Sequence, residues 1–91
     1  MFSLKDFSSI NMRYFKVLKI NFFCITLQSN NTLHYWHLIA HDYGQAKSIE
    51  ILHRHGDSGE YHFHGRACTL KEAINSIKDH DRFQLTVRKR R

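Results

Sequence analysis

The chain has no proline, four glycines and two cysteines among its 91 residues. The lack of proline excludes collagen-like and proline-rich linker proteins. Two cysteines are too few for the disulfide framework of a small secreted domain, and neither belongs to a Cys-x-x-Cys motif, so a reducing compartment is expected. Apolar residues make up 42% and charged residues 24% of the sequence, which is ordinary for one globular domain.

Long hydrophobic runs are also missing. The most apolar segment, residues 17–27, is interrupted by Lys19 and Asn21. It is about half as long as the ~20 residues that a transmembrane helix needs. No small-residue cleavage site follows it cleanly, as a signal peptide would require. The sequence therefore predicts a cytoplasmic protein without membrane contact.

Acidic residues are scarce relative to basic ones. Lys and Arg number 14 and Asp and Glu number 8, which gives a formal net charge of +6. The last four residues, Arg88, Lys89, Arg90 and Arg91, carry +4, so residues 1–87 carry only +2. Such a basic end favours phosphate groups or an acidic protein surface as partner, although it also occurs as a simple solvated tail.

The spacing of apolar and polar residues divides the chain into three segments. Residues 1–11 show no clean period and are predicted to form a loosely ordered N-terminal extension. Residues 12–87 have the alternation and helical spacing of a single compact domain. Residues 88–91 form a basic C-terminal tail.

Two apolar segments flank a turn-forming sequence in the first half of the domain. Residues 14–27 and residues 33–41 are rich in β-branched and aromatic residues, which favour strands. Residues 28–32, between them, include Asn30 and Asn31, which tolerate the positive φ of hairpin turns. The sequence predicts a β-hairpin here.

The segment of residues 42–55 allows two interpretations. Asp42 and Gln45 have the spacing of a helix capping box, apolar residues then recur at helical spacing, and Gly56 would end the helix. The alternative is a strand that passes through Ile49 and Ile51. We expect the helix.

The last third of the domain predicts a strand, a helix and a strand. Residues 60–66 alternate, so that Tyr61, Phe63 and Gly65 would face the core while His62, His64 and Arg66 would face solvent. A capping box at residues 69–72 opens a helix that ends near residues 80–81, and residues 83–87 alternate again as a final strand. The expected core residues of this part are Phe63, Leu70, Ile74, Ile77 and Leu85.

These elements give the order β-β-α-β-α-β. Short connections favour a two-layer α+β domain, in which a mixed or antiparallel sheet of about four strands carries two helices on one face.

The uncovered face of that sheet is the predicted binding surface. It would present His62, His64 and Arg66, and the basic residues Arg88, Lys89, Arg90 and Arg91 would continue from its last strand. Trp36 would either pack in the core or stack a base on this face. A flat, polar and basic face suits phosphates and single-stranded bases, or an acidic protein surface. We therefore expect a small non-catalytic nucleic-acid-binding protein, and the alternative is an interaction module or inhibitor of the phage or mobile-element type.

Eight histidines are the unusual feature of the composition. His53 and His55 precede the turn at residues 57–59, and His62 and His64 follow it. Residues i and i+2 of a strand share a face, so the four imidazoles would converge if residues 49–55 were a strand, and the cluster would dissolve if they were a helix. Imidazoles at this spacing suit Zn or Ni, so a histidine-rich metal-binding domain is the second alternative; no other cofactor is expected.

Catalytic motifs are absent from the sequence. We find no phosphate-binding loop, dinucleotide fingerprint, His-Glu-x-x-His motif or paired carboxylates. A nuclease with His62 or His64 as acid or base would lack a recognisable partner group. We therefore do not expect an enzyme.

Overall fold

The computed structural model describes residues 1–43 and 46–89. Its elements, in chain order, are α1 (Leu4–Ser9), β1 (Phe15–Ile20), β2 (Cys24–Ser29), β3 (Tyr35–Tyr43), β4 (Ala46–Arg54), β5 (His62–Ala67) and α2 (Leu70–Lys89). The strands form one antiparallel sheet in the order β1-β2-β3-β4-β5. The predicted α+β class is confirmed, but the predicted element order β-β-α-β-α-β is wrong.

The core lies between one face of this sheet and α2. Alternate residues of β2 and β3 are buried, and the most central are Leu27, Trp36 and Leu38, each with no exposed surface. From α2, Ala73 and Ile77 pack against them at the spacing of one helical face. The helix begins where the capping box predicts, because Thr69 Oγ1 accepts the backbone N–H of Glu72. We call the sheet face under α2 the covered face and the other the open face.

The predicted helix at residues 42–55 is wrong, and the alternative strand is right. β4 pairs with β3 over nine residues and with β5 on its other edge. Ile49, Ile51 and His53 point to the core with the two-residue period of a strand. Pairing on both edges outweighs the local helical signal. Gln45, the end of the predicted capping box, lies outside the described residues.

The predicted final strand at residues 83–87 is also wrong, because α2 continues without a break to Lys89. No glycine or proline stands after His80 to end the helix. As a result Phe83 is 63% exposed and Leu85 is only half-buried, so neither belongs to the buried core.

The facing predicted for β5 is reversed over its first half. The pairing register shifts between Ile51 and Leu52, so Ile51 lies opposite Gly65 whereas Leu52 lies opposite Phe63. Such a bulge places one extra residue, His64, in β5. Phe63 therefore lies on the open face and is 56% exposed, so its predicted place in the core is wrong.

The first predicted strand, residues 14–27, is in fact two strands. Asn21 Oδ1 accepts the backbone N–H groups of Phe23 and Cys24, which makes the tight turn between β1 and β2. The predicted hairpin across residues 28–32 is confirmed as the pair β2 and β3. The residue with positive φ in that turn is Leu33 rather than an asparagine.

The N-terminal segment contributes to the core. Ser3 and Asp6 form a capping box for α1, and Phe2 and Ile10 are 2% and 6% exposed. Residues predicted as a loosely ordered extension thus include a helix and two buried apolar side chains. Within the described residues, neither helix has the length and hydropathy needed to cross a lipid bilayer.

Candidate metal centre

Six of the eight histidines meet at one end of the covered face, under α2. They come from the segment before β3, from β4 and the residue after it, from β5 and from α2. Neighbouring ring centroids within the group lie 4.5 to 6.1 Å apart. We call this group the histidine cluster; its members are His34, His53, His55, His62, His64 and His80.

Three features of the fold assemble the histidine cluster. Because β4 is a strand, His53 points into the core and lies directly opposite His62 of β5. The bulge in β5 turns His64 towards α2, where its Nε2 lies 3.5 Å from Ser76 Oγ. His80 follows Ile77 on the face of α2 that packs on the sheet.

The innermost part of the cluster is a triad of His34, His53 and His80. One ring nitrogen from each lies within 4.8 Å of the other two. His34 and His53 are each 1% exposed, and His34 Nδ1 lies 3.0 Å from His53 Nε2. His80 Nε2 is buried and has no hydrogen-bond partner among the described residues. We call these three residues the inner triad.

A second triad shares His53 and opens to solvent. It consists of His53, His55 and His62, again with one nitrogen of each within 4.8 Å of the others. His53 Nδ1 lies 3.4 Å from His62 Nε2, and His55 and His62 are exposed. His53 therefore turns one ring nitrogen to the inner triad and the other to this outer triad.

The surroundings keep several of these imidazoles uncharged. Burial, reinforced by the neighbouring His80 and His34, lowers the pKa of His53 to about 3. Burial also lowers the pKa of His64 and that of His80, and in both cases a neighbouring imidazole adds to the effect. A neutral imidazole keeps the lone pair with which it binds a metal ion.

Trp36 forms one wall of the histidine cluster. Its ring centroid lies 4.3 Å from that of His53 and about 5 Å from those of His64 and His80. The side chain is fully buried, and its indole N–H donates to Ser29 Oγ. Of the two placements predicted for Trp36, packing in the core is therefore right, and stacking of a base on the open face is wrong.

The carboxylate beside the cluster is already engaged. Asp81 is fully buried and accepts hydrogen bonds from the hydroxyls of Tyr14 and Thr32, at 2.7 and 3.0 Å. Burial and this bond to Asp81 raise the pKa of Tyr14 to about 12. Both candidate triads of the described residues consist of histidine alone.

The structure brings together all four histidines that the sequence proposed as metal ligands: His53, His55, His62 and His64. Sequence reasoning missed His34 and His80. Both carried a signal, since His34 shares the strand parity of Trp36, and His80 stands three residues after Ile77 on the predicted apolar stripe.

The predicted nucleic-acid surface is not assembled as proposed. His62 and His64 lie on the covered face, whereas Arg66 lies opposite Glu50 on the open face. Arg88 and Lys89 belong to α2 instead of a tail that follows a strand. Arg90 and Arg91 lie outside the described residues.

Comparison of this chain with protein-family models, curated proteins and solved structures finds no match. The chemistry of the donor set is thus the guide to function. Imidazole nitrogens suit Zn²⁺, Ni²⁺ and Cu²⁺. Two nitrogens on a tetrahedral zinc ion, each at about 2.0–2.1 Å, lie about 3.3 Å apart. The separations of 3.0 and 3.4 Å between the paired imidazole nitrogens are close to that value.

Proposed function

We propose that this protein binds a divalent transition-metal ion of the zinc class through the inner triad, His34, His53 and His80. The proposal rests on two observations: one ring nitrogen of each imidazole in this triad lies within 4.8 Å of the other two, and the buried His80 Nε2 has no hydrogen-bond partner among the described residues. A metal ion would give this nitrogen a partner.

Hydrogen bonding alone satisfies this group poorly. His34 Nδ1 and His53 Nε2 can form one hydrogen bond, in which one ring donates its N–H and the other accepts, so both of these nitrogens are satisfied. Nothing among the described residues does the same for His80 Nε2, and a buried polar atom without a partner costs about 1–3 kcal/mol. Both rings stay unprotonated at neutral pH, because burial lowers the pKa values of His53 and His80. Protonation therefore does not turn the unpartnered nitrogen into a donor.

The second nitrogen of His53 supports the inner triad. When Nε2 of a histidine binds a metal, Nδ1–H usually donates to a neighbouring acceptor that fixes the ring orientation. His53 Nδ1 lies 3.4 Å from His62 Nε2, so His62 is the acceptor in this arrangement. His62 would then hold the ligand in place instead of binding the ion itself.

Three protein nitrogens leave the fourth position of a tetrahedral ion open. His55, whose ring centroid lies 4.6 Å from those of both His34 and His53, is the fourth imidazole at this end of the sheet. It is exposed, so it could close the site or give way to water. Because the ligands come from β4, α2 and the segment before β3, metal binding would couple to folding.

The test is metal binding by tag-free protein that has first been stripped with a chelator. Zinc at about 100 times its dissociation constant should stabilise the fold by about 2.7 kcal/mol. For a domain of this size that raises the melting temperature by about 10–20 °C. Calorimetry should give one ion per chain, and X-ray absorption should show imidazole nitrogens at about 2.0–2.1 Å.

Variants locate the ion. His80→Ala should remove the zinc-induced shift while the metal-free variant still melts cooperatively, since His80 is only half-buried. The matched control is His41→Ala, which removes a histidine that lies outside the cluster and pairs with Glu50. If His55→Ala and His62→Ala abolish binding and His80→Ala does not, the ion belongs to the outer triad. Unchanged melting of the unmutated protein on addition of Zn²⁺, Ni²⁺ and Cu²⁺ would refute metal binding altogether.

A further inference from the structure

The open face of the sheet carries a pattern that the metal site does not explain. Strand register aligns its residues in rows that run across the sheet. One row is Lys16, Gln28, Tyr35 and Arg54, and the next is Lys19, Thr26, His37, Leu52 and Phe63. Each row therefore begins with a lysine on β1 and ends at a planar or aromatic side chain on β4 or β5.

The planar groups of this face are held by contacts with each other. The guanidinium of Arg54 lies 4.7 Å from the ring centroid of Tyr35 and 4.7 Å from that of Tyr61, so it is sandwiched between them. The Tyr35 hydroxyl donates to Asp57, which anchors one side of the sandwich. Such fixed planar groups lose little conformational entropy when a flat ligand stacks on them.

Phe63 is the exposed planar group. It lies in β5 between the two cluster histidines but points away from them, and 56% of its surface is exposed. The guanidinium of Arg66 lies 5.7 Å from its ring centroid. A phenyl ring beside a cation, displayed on a sheet, is the arrangement on which single-stranded bases stack while the cation meets a phosphate.

The charge of the open face is complementary to a polyanion. Its described side chains include four cations, Lys16, Lys19, Arg54 and Arg66, against two carboxylates, Glu50 and the Asp57 that accepts from Tyr35. Glu50 lies 3.3 Å from a ring nitrogen of His41. The excess of positive charge would therefore be available to phosphates.

We propose that the open face binds single-stranded nucleic acid, with a base stacked on Phe63 and phosphates bound by Lys16, Lys19 and Arg66. The row from Lys19 to Phe63 crosses four strand spacings, about 19 Å. That distance accommodates about six nucleotides at a stacked rise of about 3.4 Å. Single strands fit better than duplexes, because bases can reach Phe63 only when they are unpaired. This surface lies on the opposite side of the sheet from the histidine cluster, so the inference does not depend on the metal.

The test is fluorescence anisotropy with random-sequence 12-nucleotide single strands of DNA and RNA and with a duplex of the same length, at several salt concentrations. We expect single strands to bind more tightly than the duplex. Phe63→Ala should weaken binding about tenfold, the effect of losing one stacked base. Its matched control is Phe83→Ala, since Phe83 is similarly exposed, at 63%, but lies on α2.

The cationic part of the proposal is tested in the same assay. Arg66→Ala should reduce the slope of log affinity against log salt by about 0.7 on single strands, as expected for one lost phosphate contact. The control is Lys71→Ala, an exposed cation at the start of α2. Binding should persist when residues 88–91 are deleted, since none of them is among the proposed contacts.

Three results would overturn the proposal. The first is no binding of any oligonucleotide at low salt. The second is an equal loss of affinity in the Phe63→Ala and Phe83→Ala variants. The third is a preference for an acidic polypeptide such as polyglutamate, with no effect of Phe63→Ala, which would assign the open face to an acidic protein.

Discussion

The covered and open faces of the sheet come from the same strands and yet have opposite chemistry. His53 and Arg54 are consecutive in β4, but His53 is 1% exposed among imidazoles, whereas Arg54 is half-buried between two tyrosine rings. Strand alternation alone separates them. Burial under α2 favours uncharged imidazoles, which suit a cation, while the open face keeps the charges that suit an anion. The comparison teaches that consecutive residues of one strand can have surroundings suited to groups of opposite charge.

The largest expected effect on stability distinguishes the two faces directly. Ile77→Ala, on the fully buried side of α2, should cost about 2–5 kcal/mol, because it removes buried methylene groups and leaves a cavity. Phe63→Ala, on the open face, should cost less than about 1 kcal/mol, because its ring is more than half exposed. Urea denaturation of both variants measures the difference. Equal losses would mean that the bulge in β5 does not turn Phe63 outward.

Acid should destabilise the metal-free protein through the covered face. The pKa of His53 is about 3 in the folded chain and about 6.5 in the unfolded chain, so between these values only the unfolded chain takes up the proton. The stability is fully present above pH 6.5 and falls as the pH falls towards 3. Between pH 7 and pH 5 the loss from this residue should be on the order of 1–2 kcal/mol.

The measurement is the urea midpoint in the presence of a chelator at both pH values. The lowered pKa values of His64 and His80 act in the same direction. His80→Leu should therefore show a smaller drop between pH 7 and pH 5 than the unmutated chain. A midpoint that stays constant over this interval would contradict the burial of neutral imidazoles.

The smallest expected effects on stability come from removing a single tyrosine hydroxyl, at Tyr14 or at Tyr35. Tyr14→Phe removes a bond to the fully buried Asp81 and should cost about 1 kcal/mol or slightly more, since the buried acceptor is left with one partner fewer. Tyr35→Phe removes the bond to the exposed Asp57 and should cost less than about 0.5 kcal/mol. Thermal melting at pH 7 resolves the two. Equal costs would show that burial under α2 does not strengthen the first bond.

Local chemistry was enough to predict part of the fold. The polar turn sequence between β2 and β3, the capping box at the start of α2 and the alternation of β5 all act over a few residues, and the hairpin, the helix start and the strand are all present. The same rules failed at residues 42–55 and 83–87. The first segment has a helical pattern that two neighbouring strands override, and in the second α2 continues because no residue ends it.

The candidate metal site exists because residues 42–55 do not form the predicted helix. The two His-x-His pairs were visible in the sequence. We expected them to meet only if residues 49–55 form a strand. That condition holds in β4. The bulge that turns His64 inward could not be predicted from the alternation of β5, because a period-two pattern does not reveal an extra residue.

The sequence by itself determined the excess of positive charge, the abundance of histidine, the α+β class and the start of α2, since each depends on composition or on residues a few positions apart. Only the tertiary structure decided which histidines share a site and which aromatic rings face solvent. His34, His53 and His80 are separated by up to 46 positions in the sequence. They meet because β4 pairs on both edges and α2 packs over its end, and those long-range contacts are not encoded in any short window of the chain.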